Sequence, residues 1–427
     1  MLFRSALNWL AGSSGRAFVF IFFLAFGVRA YSWIRNPPLL PNPDRELGAI
    51  ARSLVETGQF ANPYIIETGP TAHLPPIPPV ILALILSVFG NTWYAGYVFA
   101  IFTAMIIAAA YALIPWVANK LGMEKPAGLI AGLAGALTPE LETLNHGEGL
   151  AGLALVLMLA AFLKRWSHER SSLFGSFLLG LGIGASFHVQ PPILLVFLGY
   201  FAYEIGWRRI NRKLAMSGML ALGVVLACVP WAWRNYNVLH GFFFIRSNLG
   251  LELRMGNNNH PGVAATFAEM DREGFFYQHP RLIATEALKV KQLGEVEYMR
   301  QALDDAVNWI KENPGEFLRL TFLRFVNFWF IPQRLSSAAL FLAVFTILAI
   351  LGAWRIFPSQ SLPQRIALLT PLIAYPLIYY LVPFMPRYRS PIDWLVFMLA
   401  GVEIWHGLLL KWVLPNPNTR VSHVYKH

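Results

Sequence analysis

Charged residues are scarce in this chain. Asp, Glu, Lys and Arg make up 13% of its 427 residues, against 56% hydrophobic, with 32 Phe and 14 Trp. So little polar surface excludes a soluble globule built around one large core. Cysteine is nearly absent: Cys228 stands alone inside an apolar run, which excludes an intrachain disulfide and marks it as a small buried hydrophobe. There is no GxxxxGK[ST], no GxGxxG opening a βαβ unit, no HExxH and no CxxC pair. The usual ligands for ATP hydrolysis, nucleotide cofactors and zinc are therefore missing. No nucleic-acid module is recognisable, so the net charge of +11 does not imply a nucleic-acid partner.

Long apolar runs are what the chain has in abundance. They recur near 17–34, 93–118, 127–143, 149–163, 172–188, 191–206, 214–231, 336–354, 366–383 and 390–411. That pattern predicts an all-α polytopic protein with about ten spans and a lipid bilayer as its solvent. Lys and Arg gather in alternate connections, at Arg4 and Arg16, Lys120 and Lys125, Lys164-Arg165, Arg208-Arg209 with Arg212-Lys213, Arg355 and Arg365. The connection Pro139 to Glu148 carries none. This asymmetry predicts that both termini are cytoplasmic and that Asp44 and Glu46 are exterior. The small-residue stretch Ala11-Gly-Ser-Ser-Gly precedes the first apolar run instead of following it, so no cleavable signal peptide is expected.

Two further apolar segments are expected to lie at the exterior interface. Ile77 to Phe89, bounded by prolines and Gly90, is about 20 Å long as a helix, too short for a core of about 30 Å. Phe317 to Phe330 places Glu316, Arg319, Arg324 and Asn327 loosely along one side, with aromatics on the other. A polar stretch between them predicts an exterior cap, helical from Glu286 to Ile310, with Met299, Leu303, Val307 and Ile310 on one stripe. The expected organisation is an N-terminal membrane module (1–233), the cap (234–315), a C-terminal membrane module (316–413) and a cytoplasmic tail (414–427).

Carboxylates and arginines on the exterior side carry the chemistry. Asp44 and Glu46 share a side of an extended backbone, which Pro41 and Pro43 favour. Asp44 also suits the N-cap of a helix from Leu47 to Thr57. Glu140, Glu142 and Glu148 supply further acids, Glu148 at a helix start where negative charge is stabilised. Arg387 and Arg389, two apart beside Pro386 and Pro391, together with Arg234, are the groups to grip a phosphate. His73, His188, Gln190 and His260 are weak candidates taken singly. A divalent ion on Asp44, Glu46 and Glu148 is chemically allowed, but the expectation is no metal and no cofactor.

Four stretches in register then carry a likeness. They are Pro43-Asp-Arg-Glu with Ala51-Arg-Ser-Leu-Val-Glu-Thr-Gly58; Gly69-Pro-Thr-Ala-His-Leu-Pro-Pro-Ile-Pro-Pro79; Pro230-Trp-Ala-Trp-Arg-Asn-Tyr236 with Ser247-Asn-Leu-Gly250 and Gly256-Asn-Asn258; and Arg387-Tyr-Arg-Ser-Pro-Ile-Asp393. The chain resembles the bacterial GT-C fold glycosyltransferases of the dolichyl-phosphate-mannose-protein mannosyltransferase and aminoarabinose-transferase-like group. The resemblance implies a multi-pass protein of the bacterial inner membrane with its site on the periplasmic or extracellular side. It implies a polyprenyl-phosphate-linked sugar as donor and a glycan, lipid or protein hydroxyl as acceptor. Asp44 would be the catalytic acid position, Glu46 and Glu148 its companions, and His73, Arg234, Asn257, Arg387 and Arg389 the substrate-binding set. Arg45 stands where many relatives carry a second acid, and His73 where some have Lys or Tyr. A secondary transporter and a non-catalytic subunit of a surface-glycan assembly are the competing expectations.

Overall fold

The computed structural model describes residues 9–41, 45–138, 147–167, 172–207, 213–260, 263–266, 269–270, 278–330 and 337–409. Among these residues there is no β-strand, and helices carry the architecture. Five helical stretches are long and apolar enough to cross a bilayer: Ser14–Ile34, Trp93–Lys120, Glu148–Ser167, Leu214–Leu239 and Ala339–Ser359. The other expected spans are helical but shorter. Lys125–Leu137, Leu173–Phe187 and Ile193–Gly206 are apolar helices below that length. The 366–383 run divides into Leu362–Ala374 and a 3-10 turn Tyr375–Tyr380, where Pro376 supplies no N–H to continue an α-helix. The 390–411 run is Ser390–Glu403 followed by a π-helical turn, Ile404–Leu409.

We number the helices α1 (Ser14–Arg35), α2 (Glu46–Thr57), α3 (Ile77–Phe89), α4 (Trp93–Ala112), α5 (Ile114–Lys120), α6 (Lys125–Leu137), α7 (Glu148–Ser167), α8 (Leu173–Phe187), α9 (Ile193–Trp207) and α10 (Lys213–Leu239). Then follow α11 (Leu249–Gly256), α12 (Ala284–Leu293), α13 (Glu295–Glu312), α14 (Pro314–Phe330), α15 (Ser337–Ile356), α16 (Leu362–Ala374) and α17 (Ser390–Glu403). Every residue of α17 from Pro391 to Val402 is buried, as befits a helix that is apolar all round but for Asp393 in its first turn. It packs between α15, α6 and α7.

Lipid tails are as apolar as leucine, so membrane helices associate through close packing rather than escape from water. Small residues therefore mark the contacts. A methyl on Gly352 would strike the Leu399 carbonyl, and one on Gly180 the Leu220 carbonyl, joining α15 to α17 and α8 to α10.

The exterior elements depart from expectation in three places. Arg45, not Asp44, holds the N-cap position of α2, with no side-chain cap bond. The expected continuous helix over 286–310 is broken at Gly294, whose φ of 80° suits glycine and not an L side chain, giving α12 and α13. On α14, Glu316 and Arg319 pair on the exposed side, but Arg324 and Asn327 are buried. The Arg324 guanidinium donates to the Gly256 and Leu381 carbonyls and to Asn257 Oδ1, so that side of α14 faces protein instead of water.

One buried carboxylate ties the cap to the first exterior loop. Glu295, at the start of α13, accepts from the Thr71 hydroxyl, from Ala72 N–H at 2.7 Å and from the Ser247 hydroxyl at 2.7 Å. Beside it, Tyr64 of the first loop packs with Leu251, Met255, Val290, Tyr298 and Met299 of the cap.

Candidate functional site

A cavity of about 420 Å³ opens where α2, α3, the start of α7, the cap and the segment before α17 converge. Its polar lining is Glu46, His73, Glu148, Gln190, Arg246, Asn248, Glu252, Tyr379, Arg387 and Tyr388. Apolar residues, among them Pro75, Pro78, Pro79, Leu194, Leu195, Leu249, Ile378 and Val382, complete the lining. A second, apolar pocket shares Leu47 and Pro78 with it and continues past Ile81, Phe99, Phe102 and Ile106 between α3, α4 and α7.

Local sequence explains how each polar group arrives there. Glu46 starts α2, and His73 follows the strap that Glu295 holds. The His73 carbonyl accepts from Arg246 Nε at 2.9 Å, and Ala72 O accepts from Ser247 N–H at 3.0 Å, so the 72–73 and 246–247 segments run side by side. Asn248 and Glu252 lie one helical turn apart, and the Asn248 amide donates to Glu252 Oε1 at 2.9 Å. Gln190 donates to the Tyr379 hydroxyl at 3.0 Å, and the Tyr379 and Tyr388 rings stack 4.6 Å apart.

Two electrostatic centres result. Arg387 Nε lies 3.6 Å from Glu148 Oε1. Burial works against the Arg387 charge, but Glu148, Tyr388 and Glu46 together outweigh it and raise the guanidinium above its usual range. At the other centre, His73 Nε2 and His279 Nε2 approach the same Glu46 oxygen at 3.4 and 3.3 Å, with Arg281 Nε at 4.0 Å. Burial pushes the Glu46 carboxyl up, yet the His73 hydrogen bond and the His73, His279 and Arg281 charges hold it well below the usual carboxylate range. Burial drives His279 down to about 4, so its imidazole is neutral at pH 7. Burial raises Glu252, against the pull of Arg246 and His73.

The sequence-derived set thus divides. Glu46, Glu148, His73 and Arg387 line one cavity. Asp44, Glu140, Glu142 and His146 lie outside the described residues. Arg389, Arg234 and Asn257 are engaged elsewhere. Fully buried Arg389 donates to Asp393 Oδ1 at 2.7 Å and to the Trp329 carbonyl at 2.6 Å. Arg234 donates to the Thr71 and Phe60 carbonyls, bracing the first loop. Asn257 is buried against the Leu253 and Leu381 carbonyls. His188 Nδ1 sits against the Gly184 carbonyl.

Sequence reasoning missed Arg246, Glu252 and His279. The spacing of Asn248 and Glu252 on one helical face was an available signal, and His279 had none. Comparison with models of known protein families, with curated proteins and with solved structures finds no match to this chain.

Proposed function

We propose that the chain is an inverting glycosyltransferase that moves a sugar from a polyprenyl-phosphate donor to a hydroxyl acceptor at the exterior face of a bacterial inner membrane. The observation that supports this reading most is one cavity holding both carboxylates and guanidiniums, with apolar residues completing its lining. Its size suits a sugar and a phosphate, and the apolar residues Pro75, Pro78, Leu194, Leu195 and Ile378 in its lining suit the start of a lipid tail.

In the proposed reaction the acceptor oxygen attacks the sugar C1 as the bond from C1 to the phosphate oxygen breaks. A carboxylate takes the acceptor proton, and Asp44, two residues before Glu46, is the group assigned to this role. The polyprenyl phosphate leaves as an anion and needs no proton. It needs positive charge, which Arg387 and Arg246 supply from the cavity wall. A single displacement opposite the leaving group inverts C1, with no covalent enzyme intermediate.

Purified full-length protein, supplied with radiolabelled polyprenyl-phosphate sugars, should transfer label to an acceptor. Asp44→Asn should reduce transfer on the order of 1000-fold, with donor binding retained. Equal transfer by wild type and Asp44→Asn would remove Asp44 from the base role. Absence of transfer with every donor, together with solute flux into vesicles carrying the protein, would replace the reading with transport.

A further inference from the structure

The Glu46, His73 and His279 cluster has no part in the reaction just described. Its three ligand atoms lie within 4.8 Å of one another. The separations from Glu46 Oε1, 3.4 and 3.3 Å, match those of neighbouring donors on a tetrahedral ion, where bonds of about 2.0–2.1 Å give about 3.3–3.4 Å. Both imidazoles are buried, and both bring Nε2 to the same Glu46 oxygen. The Tyr64 hydroxyl sits 3.0 Å from His73 Nδ1, the outer position from which a ligating imidazole is usually oriented.

We propose that Glu46, His73 and His279 form a binding site for a divalent transition-metal ion, with zinc the best fit to two imidazoles and one carboxylate. The site joins three separate parts of the chain: the start of α2, the first exterior loop and the segment leading into α12. Glu46 and His73 also line the cavity, so the fourth position is open to water or to an anionic group held there.

Ligation by His279 Nε2 places the ring proton on Nδ1. The 3.1 Å contact from the Arg281 backbone N–H to that Nδ1 must then open, by a small movement of the turn at 279–283. The Arg281 guanidinium opposes a second cation at 4.0 Å from the shared oxygen, so Arg281→Ala should bind the ion more tightly.

The site stands on its own geometry and does not depend on the glycosyltransferase reading. The test uses full-length protein in detergent, stripped with chelator, and Zn²⁺ alone as the probe. Calorimetry and elemental analysis after desalting should give one equivalent per chain. His279→Gln and His73→Gln should each weaken binding at least 100-fold, and Tyr64→Phe about 10-fold. Cobalt loading should give the intense visible absorption of a four-coordinate ion, lost in His279→Gln. The far-UV spectrum of each variant reports its fold independently of the metal. Binding below one equivalent in folded wild type, or equal affinity in folded wild type and His279→Gln, would overturn the proposal. Because no sugar donor is present, failure here leaves the transfer assay untouched, and failure of transfer leaves the metal titration untouched.

Discussion

Two arginines two positions apart do opposite work. Arg387 closes a 3-10 turn and faces the cavity, whereas Arg389 sits at the N-cap of α17 and points into the bundle. Their conservative variants should therefore separate. Arg387→Lys keeps the charge but loses the planar two-pronged donor, so transfer should fall about 10- to 100-fold with the thermal midpoint within a few degrees of wild type. Arg389→Lys cannot reach both Asp393 and the Trp329 carbonyl, and should cost about 1.5–3 kcal/mol of stability, read as a lowered midpoint, while the folded fraction retains transfer. A lysine variant at 387 that melts early with normal turnover would reverse the two assignments. The distinction was partly legible. Asp393 stands four residues after Arg389, the spacing of a helical ion pair, and nothing acidic stands four after Arg387. Glu46, Glu148 and His73 could be singled out because acids and histidines are rare in so apolar a chain. His279 could not, since its meeting with Glu46 depends on how the cap folds back over the first loop.

At the scale of helices, the apolar runs marked where helices form, and glycines decided how they meet and where they stop. Gly180 of α8 and Gly223 of α10 bring two backbones into contact, with each Cα facing the other's carbonyls. Gly180→Val should wedge this pair apart and cost about 1–3 kcal/mol or more, seen as a lower midpoint and poorer yield of folded protein. Gly182→Val is the matched control, because nothing lies within 4 Å of a Cβ there. Equal loss at both positions would show that helix propensity, not the contact, matters. Periodicity alone did not foresee the break at Gly294, since the apolar stripe from Met299 to Ile310 lies wholly after it and says nothing of the residues before. Of the ten expected spans, five are long and apolar enough to cross among the described residues, and a run of apolar residues does not reveal that Pro376 turns the backbone into a 3-10 geometry. Membrane helices can be short where neighbours, rather than lipid, satisfy their ends.

For the whole molecule, the charge asymmetry predicts one exterior face holding α2, the cap and the cavity. Cys228 is fully buried, so thiol reagents in intact cells should report only cysteines that are added. Cysteines at exposed Arg52, Lys289 and Asp304 should react with a membrane-impermeant maleimide from outside, and one at exposed Ser361, between α15 and α16, only after permeabilisation. The reverse pattern would put the cavity on the cytoplasmic side and exclude an exterior reaction. The enclosed position of α17 carries a separate consequence for how the protein is made. Sixteen numbered helices emerge from the ribosome before it, and three of them, α6, α7 and α15, pack against it. Earlier helices can enter the bilayer one by one, but α6, α7 and α15 lack their shared partner until residues 390–403 arrive. Chains halted upstream of that point should be inserted, loosely gathered, and open to the proteases that patrol the membrane.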